Sequence, residues 1–189
     1  MMDLGYEAIS HVVDAWELAK QTPAFEEEAG MLVLTKLFEL EPRTKKVFGF
    51  SVNDDLETSP RLKMGALLHA KRMIHMFDAV VVMLGPDTEL LSELLAGLGK
   101  RHIQYGVKAN FIPFMGQALL YALKKVLGNK VQWQNGVEDS WNMVYEEMSS
   151  EIMRAILTGQ GKDLSQVNDT LPTTARDYEA DLSSVEFGL

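Results

Sequence analysis

The sequence predicts an all-α domain of six to eight helices. Apolar residues recur at spacings of three and four along most of the chain, as they do on one face of a helix. No stretch alternates cleanly between apolar and polar residues, so the strand signals are weak. The hydrophobic fraction, 47% of 189 residues, is enough to form one sizeable core.

Two helices are predicted before Pro42. The first covers residues 3–20 and turns Trp16 toward the core, and a threonine-proline pair at 22–23 interrupts it. The second covers residues 25–40. It begins with three consecutive glutamates, which interact favourably with the positive end of the helix dipole.

A long helix is predicted in the middle of the chain. A short irregular or helical piece at residues 42–50 comes first, and a polar connector leads from it to Ser59. Pro60 suits the first position of a helix because its missing N–H would be unpaired there in any case. The helix that begins at Pro60 is expected to end at the glycine-proline pair at 85–86.

Three more helices are predicted in the second half. One begins near Thr88 and stops at Gly106. The next covers residues 110–127, where Pro113 is tolerated because it falls in the first turns. The last covers residues 136–157.

The composition changes after Thr158. Residues 159–189 are polar, acidic and poor in aliphatic side chains, so they can bury little apolar area. The sequence therefore predicts one domain over residues 1–158 and a disordered acidic C-terminal tail over residues 159–189.

A four-helix bundle would be the simplest arrangement of such helices. The predicted helices differ in length, however, two connectors contain proline, and a short broken piece lies in the middle. These features favour helices that cross at larger angles around a cavity.

Charge and composition exclude several classes of protein. The net charge of −9 leaves no basic stripe, so nucleic acid is not an expected partner. The longest apolar run, residues 79–84, is too short to span a membrane, and no basic segment precedes an apolar block at the N-terminus. We therefore expect a cytoplasmic protein. The chain has no cysteine, which excludes disulfides, thiolate metal sites and thiol catalysis.

Two of the four histidines are predicted to point toward the core from neighbouring antiparallel helices. His69 shares a face of the long helix with Arg72, Met73 and Met76. His102 follows Leu98 by four residues and so continues a stripe of leucines. The other two histidines are expected to lie away from this pair, at positions 11 and 75.

The pair formed by His69 and His102 is compatible with several roles. An inward histidine is more often a hydrogen-bonded core residue than a metal ligand. A bare zinc site needs three or four protein ligands, and a di-iron site needs inward Glu-x-x-His pairs. The two histidines suit a flat metal macrocycle better, because it brings four nitrogen ligands of its own and needs only axial ones.

Several segments of the chain resemble the globin family, in particular its neuroglobin and flavohaemoglobin branches. The resemblance covers residues 4–157 and includes Trp16 of the first helix and the last two helices. The segments that carry it most clearly are "LFELEPRTKKVFGF", "HAKRMIHMFDAVV" and "LGKRHIQYGVK". Each is weak alone, but their order and spacing together are specific.

The resemblance implies a globin fold around a pocket for haem b, iron protoporphyrin IX. It makes His102 the proximal iron ligand. It puts His69 at the distal position, where a histidine donates a hydrogen bond to a bound gas or binds the iron as sixth ligand. Phe48 takes the place of the phenylalanine that packs against the haem, and Leu98 lines the pocket.

Other pocket residues follow from the same resemblance. Leu34 and Met73 fall in the distal pocket, and Val107 and Phe111 press on the porphyrin edge. Many oxygen-scavenging members have a tyrosine where this chain has Leu34, which argues against very tight O₂ binding. Arg72 is the expected partner of a haem propionate, and the neighbouring lysine at position 71 is the alternative.

The function that the resemblance implies is reversible binding of O₂ and other diatomic gases, NO and CO, for transport or storage. One alternative is NO dioxygenation, which needs an external reductase because no flavin or nicotinamide module is expected after the globin. Another is a gas or redox sensor that uses the acidic tail as a contact segment. A haem-free regulatory domain is disfavoured because both His69 and His102 are present.

Overall fold

All regular secondary structure in the described part of the chain is helical. The computed structural model describes residues 4–56, 58–85 and 88–161. Its six α-helices are α1 (Tyr6–Lys20), α2 (Phe25–Leu40), α3 (Pro60–Met83), α4 (Thr88–Gln104), α5 (Ile112–Leu127) and α6 (Glu138–Gly159). Short 3₁₀ or π-helical segments are Pro42–Phe48, Ala109–Phe111, Gly128–Lys130 and Trp133–Val137. The prediction of an all-α domain with six to eight helices is confirmed.

The helix boundaries follow the local signals in the sequence. α2 begins and ends where its apolar spacing predicts. α3 begins at Pro60, and α5 has Pro113 in its first two positions, where proline removes no intrahelical hydrogen bond. In the described residues α1 begins at Tyr6, three residues later than predicted.

The helices form one packed core. α2 packs against α3 and α5, and α6 packs against α1, α4 and α5. Trp16 lies fully buried at the centre, with its ring edge-on to Phe25 at 5.3 Å and tilted against Trp141 at 6.1 Å between ring centroids. Its indole Nε1 donates to Asp78 of α3 at 2.9 Å, which joins the first helix to the third.

The segment between α4 and α5 is held by a residue that lies far away in the sequence. Tyr145 of α6 donates its hydroxyl hydrogen to the carbonyl oxygen of Ile112 at 2.7 Å. Burial raises the pKa of Tyr145 above its usual range, so the hydroxyl remains a donor. This bond fixes the start of α5, directly after Phe111.

The structure describes only the first three residues of the predicted tail, 159–161. α6 ends at Gly159, one residue past the predicted domain boundary. Residues 162–189 lie outside the described residues, so their predicted disorder stays a prediction. None of the described helices is long and apolar enough to cross a membrane.

The end of α4 is a Schellman motif that fixes the backbone around His102. Gly106 has φ +77°, a left-handed conformation that costs other residues free energy. The N–H of Gly106 bonds to the carbonyl of Ile103 at 3.0 Å, and the N–H of Val107 to the carbonyl of His102 at 3.2 Å. The chain therefore turns sharply after α4 and brings Val107 into the core.

Two glycine substitutions in this region should have opposite effects on stability. Gly106→Ala should lower the free energy of unfolding by about 1–2 kcal/mol, because alanine is strained at positive φ. Gly97→Ala, within α4, should raise it by up to about 1 kcal/mol, because a Cβ there meets no atom within 4 Å and alanine favours a helix. Chemical denaturation of both variants measures the difference. A Gly106→Ala variant as stable as the parent would contradict the role of the left-handed turn.

Candidate functional site

The two histidines that are predicted to point inward lie on helices α3 and α4. Each of these helices packs closely against a neighbouring helix at a glycine. A Cβ on Gly30 of α2 would lie 2.7 Å from the Cβ of Ala70, the residue after His69. A Cβ on Gly99 of α4 would lie 2.6 Å from the carbonyl oxygen of Ile152 in α6. Only glycine permits these close backbone approaches, so the positions of both histidine-bearing helices depend on them.

His102 is oriented by its own helix. Its Nδ1 lies 2.8 Å from the carbonyl oxygen of Leu98, one turn earlier. Because a carbonyl oxygen only accepts, Nδ1 must carry the hydrogen and donate it. In the neutral ring this leaves a free lone pair on Nε2, which is the atom that a metal-binding histidine offers when its other nitrogen is held in this way.

His69 is held by packing and not by a hydrogen bond. Its ring is edge-on to Phe48, with 5.1 Å between centroids, and Phe48 is edge-on to Phe38 at 5.3 Å. The ring nitrogens of His69 make no hydrogen bond with another described residue. They therefore remain available to a ligand.

The electrostatic surroundings keep His69 neutral. Burial lowers the pKa of His69 below its usual value, and the charges of His102 and Arg72 lower it further. The helices that carry the two imidazoles, α3 and α4, contact each other.

The 3₁₀ segment that carries Phe48 is fixed by a small polar network. The buried Glu41 accepts hydrogen bonds from the backbone N–H of Arg43 at 3.0 Å and from its Nε at 2.8 Å, and the two also form an ion pair. The bond from Arg43 holds the pKa of Glu41 below its usual value. Lys45 donates to the carbonyl oxygens of Val52 at 3.1 Å and Asp54 at 2.6 Å, which ties the following connector to the segment.

The remaining predicted pocket residues differ in burial. Four are buried and one, Leu98, is partly buried against the core. The buried ones are Leu34, Met73, Val107 and Phe111. Arg72 is exposed. Lys71, the alternative, is already paired with Glu27, so Arg72 is the freer cation.

The other two histidines have partners of their own. His11 Nδ1 lies 2.9 Å from the hydroxyl of Ser140, which itself donates to the carbonyl of Gly136 at 2.7 Å. His75 is exposed and forms an ion-pair contact with Glu26 at 3.0 Å. Each of these two histidines therefore has a polar partner other than His69 or His102.

Comparison with known proteins identifies the fold. The sequence profile of the family described as Globin matches residues 32–152. The chain belongs to the globin family. It is 28% identical over 145 residues to the neuroglobin of Danio rerio, a match that covers 75% of this chain and 85% of that protein.

Solved globin structures share this globin's fold. One is the hexa-coordinate haemoglobin of Drosophila melanogaster, with a TM-score of 0.64 and 21% identity over 79% of this chain and 94% of that one. Another is a hexacoordinated haem protein from an anhydrobiotic tardigrade, with a TM-score of 0.66 and 21% identity over 81% and 95% of the two chains. The predicted globin fold is thus confirmed.

Some residues that position this globin's site were not predicted from the sequence. Gly30 and Gly99 lie inside helices, where glycine is unfavourable by roughly 1 kcal/mol relative to alanine. That cost is a signal of a close helix contact, but an ambiguous one, because Gly97 also lies inside a helix and a Cβ there would meet no atom within 4 Å. The pairing of Glu41 with Arg43 gives no such signal, because a charge pair two residues apart is common on surfaces.

Proposed function

We propose that this globin binds haem b between His102 and His69 and binds O₂ and other diatomic gases reversibly. The observation that carries the proposal is the hydrogen bond from His102 Nδ1 to the carbonyl of Leu98, which leaves Nε2 free. When bound, haem supplies an iron atom that takes axial ligands and binds small gases.

The residues of the site fit haem better than a bare metal ion. In the described residues, no group of three histidine, cysteine or acidic side chains lies close enough to hold a metal ion. Two imidazoles in one neighbourhood with apolar side chains around them suit a planar cofactor that brings its own equatorial ligands. Arg72 is the cation that we assign to a haem propionate.

His102 and His69 have different tasks in this proposal. His102 has its ring fixed by Leu98 and serves as the permanent axial ligand. His69 is neutral, packed on Phe48 and without a hydrogen bond to another described residue, so it is free to bind the iron or to release it. Of the two structural relatives compared above, one is a hexa-coordinate haemoglobin and the other a hexacoordinated haem protein, which supports a second histidine ligand here.

The distal side sets a moderate affinity for O₂. His69 can donate one charge-assisted hydrogen bond to a bound gas, worth about 1.5–3 kcal/mol, or roughly one to two decades in affinity. Leu34 is fully buried and Met73 nearly so, and neither side chain offers a second strong donor. We therefore assign reversible gas binding and not tight scavenging.

Replacement of His102 tests the proximal assignment. His102→Ala should remove the Soret band from the purified protein, because no other side chain on α4 offers an imidazole to the pocket. Free imidazole added to this variant should restore part of the Soret band, because it can occupy the space left by the missing side chain. The matched control is His75→Ala, which removes an exposed histidine and should leave the spectrum unchanged. An unchanged Soret band and ligand affinity in His102→Ala would refute the assignment.

The visible spectrum of the reduced protein tests the role of His69. Without external ligand, the ferrous protein should show sharp split bands, which indicate two axial histidines. His69→Leu should give one broad band, because only His102 remains. If the parent protein already shows the single broad band, His69 does not bind the iron.

Nitrate yield separates gas binding from NO dioxygenation. That reaction joins O₂ and NO to form nitrate and takes one electron per turnover from outside the chain. We expect about one nitrate per haem with a generic reductase present, since a carrier reacts once and is not re-reduced at a useful rate. Sustained formation of nitrate over many turnovers would instead make this globin an enzyme.

A further inference from the structure

The side chain of Lys45 joins two segments of the chain that precede α3. Its ammonium nitrogen donates hydrogen bonds to the carbonyl oxygens of Val52, at 3.1 Å, and Asp54, at 2.6 Å. Lys45 belongs to the 3₁₀ segment Pro42–Phe48, and the two carbonyls belong to the connector that leads to α3. Hydrogen bonds from a charged donor are stronger than neutral ones, so this group fixes the connector against the segment.

The connector that Lys45 binds is itself a closed turn. The N–H of Asp54 donates to the carbonyl oxygen of Ser51 at 3.1 Å, and the N–H of Ser51 donates to the carboxylate of Asp54 at 2.8 Å. Leu56, which follows the turn, is buried in the core. Because Val52 and Asp54 lie within this turn, Lys45 binds an ordered unit and not a loose stretch of chain.

The same 3₁₀ segment carries the aromatic residue that packs on His69. Phe48 follows Lys45 by about one turn of a 3₁₀ helix, and its ring is edge-on to His69 at 5.1 Å between centroids. The carbonyl oxygen of Lys45 accepts a hydrogen bond from the N–H of Phe50 at 3.3 Å, which closes the segment directly after Phe48. Lys45 therefore restrains the segment next to Phe48 through both its main chain and its side chain.

The connector also leads into the helix that carries His69. The N–H of Ser59 donates to the carbonyl oxygen of Asp55 at 3.1 Å, and the carbonyl oxygen of Ser59 accepts from the N–H of Lys63 at 3.0 Å, in the first turn of α3. The chain thus passes from the turn held by Lys45 directly into α3. Both the segment that packs on His69 and the helix that carries it are linked to one ammonium group.

We propose that Lys45 is a positioning residue that keeps the imidazole of His69 in place as a sixth ligand of the iron. This inference rests on the proposed function, because it concerns the ligand role of His69. The ring of His69 is held by its contact with Phe48, and its nitrogens make no hydrogen bond with another described residue. Restraint of Phe48 by Lys45 therefore lowers the conformational entropy that His69 loses when it binds.

Loss of this restraint should favour external gases over His69. A gas and the distal imidazole compete for one axial position. The ordering of one side chain corresponds to a factor of about 2–10 in an equilibrium constant. Lys45→Met keeps most of the aliphatic stem and removes the ammonium group. We expect this variant to have a smaller six-coordinate ferrous fraction and an apparent CO affinity that is higher by that factor.

Selective acylation tests the hydrogen bonds of Lys45 independently of haem. The ammonium group of Lys45 must leave its two carbonyl partners before it loses a proton and reacts. The neighbouring Lys46 is exposed, and its side chain makes no hydrogen bond or ion pair with another described residue. Mass spectrometry after brief treatment with an acetylating N-hydroxysuccinimide ester should show Lys45 modified several-fold more slowly than Lys46. Equal rates would mean that the bonds do not form in solution and would overturn the proposal.

CO binding by matched variants tests the effect on His69. Affinities and ferrous spectra are measured for Lys45→Met and for the control Lys46→Met, each with His69 present and in the His69→Leu background. The effect of Lys45→Met should vanish without His69, because such a double-mutant cycle isolates the coupling between the two side chains. Lys46→Met should match the parent in both backgrounds. Asp54→Ala opens the turn but leaves Lys45 in place, so it should act in the same direction and decides the test if Lys45→Met does not fold.

The failures of this proposal and of the proposed function give different results. A single broad band in the ferrous parent would overturn the ligand role of His69, and the role of Lys45 with it. Split bands in the parent, together with a Lys45→Met variant that behaves like Lys46→Met, would overturn the role of Lys45 alone. An equal effect of Lys45→Met with and without His69 would also overturn it, because the connector would then act on gas binding by another route.

Discussion

Close backbone contact at two glycines determines where His69 and His102 lie. Gly30 lets α2 and α3 approach until Ala70 fills the space of a side chain, and His69 is the residue before Ala70. Gly99 does the same for α4 and α6, three residues before His102. A methyl group at either position would force a helix outward, and overpacking of this kind costs about 1–3 kcal/mol. The relative position of the two imidazoles therefore depends on how α2, α3, α4 and α6 pack against one another.

His102 and His69 are held in different ways, and the proposed function depends on this difference. His102 is fixed by a hydrogen bond within its own turn, so its free nitrogen is preorganised. His69 is positioned by Phe48 and kept neutral by burial, but its ring is not tied to another described residue. In the proposed haem site, His102 would be the fixed axial ligand and His69 the releasable one.

Ion pairs at the surface involve only part of the protein's cations. The chain is acidic overall, yet several exposed cations have no carboxylate partner among the described residues, and these include Arg72 near His69 and also Lys46 and Lys130 elsewhere. Glu41 differs from the exposed charged groups because it is buried, and its carboxylate accepts a hydrogen bond from Arg43. Not every buried polar atom is paired, since Thr22 Oγ1 and the indole Nε1 atoms of Trp133 and Trp141 have no hydrogen-bond partner in the described fold.

The sequence by itself determined the helices, because apolar spacing and helix-ending residues act over a few neighbours. It located the end of α4 at Gly106 for the same reason. Only the tertiary structure decided that His102 would be oriented by Leu98 while His69 would have no such bond. The Trp16–Asp78 bond, the close contact at Gly30 and the exit of the chain beside Ile103 join residues far apart in sequence. Periodicity carries no information about such contacts, since they depend on how whole helices pack.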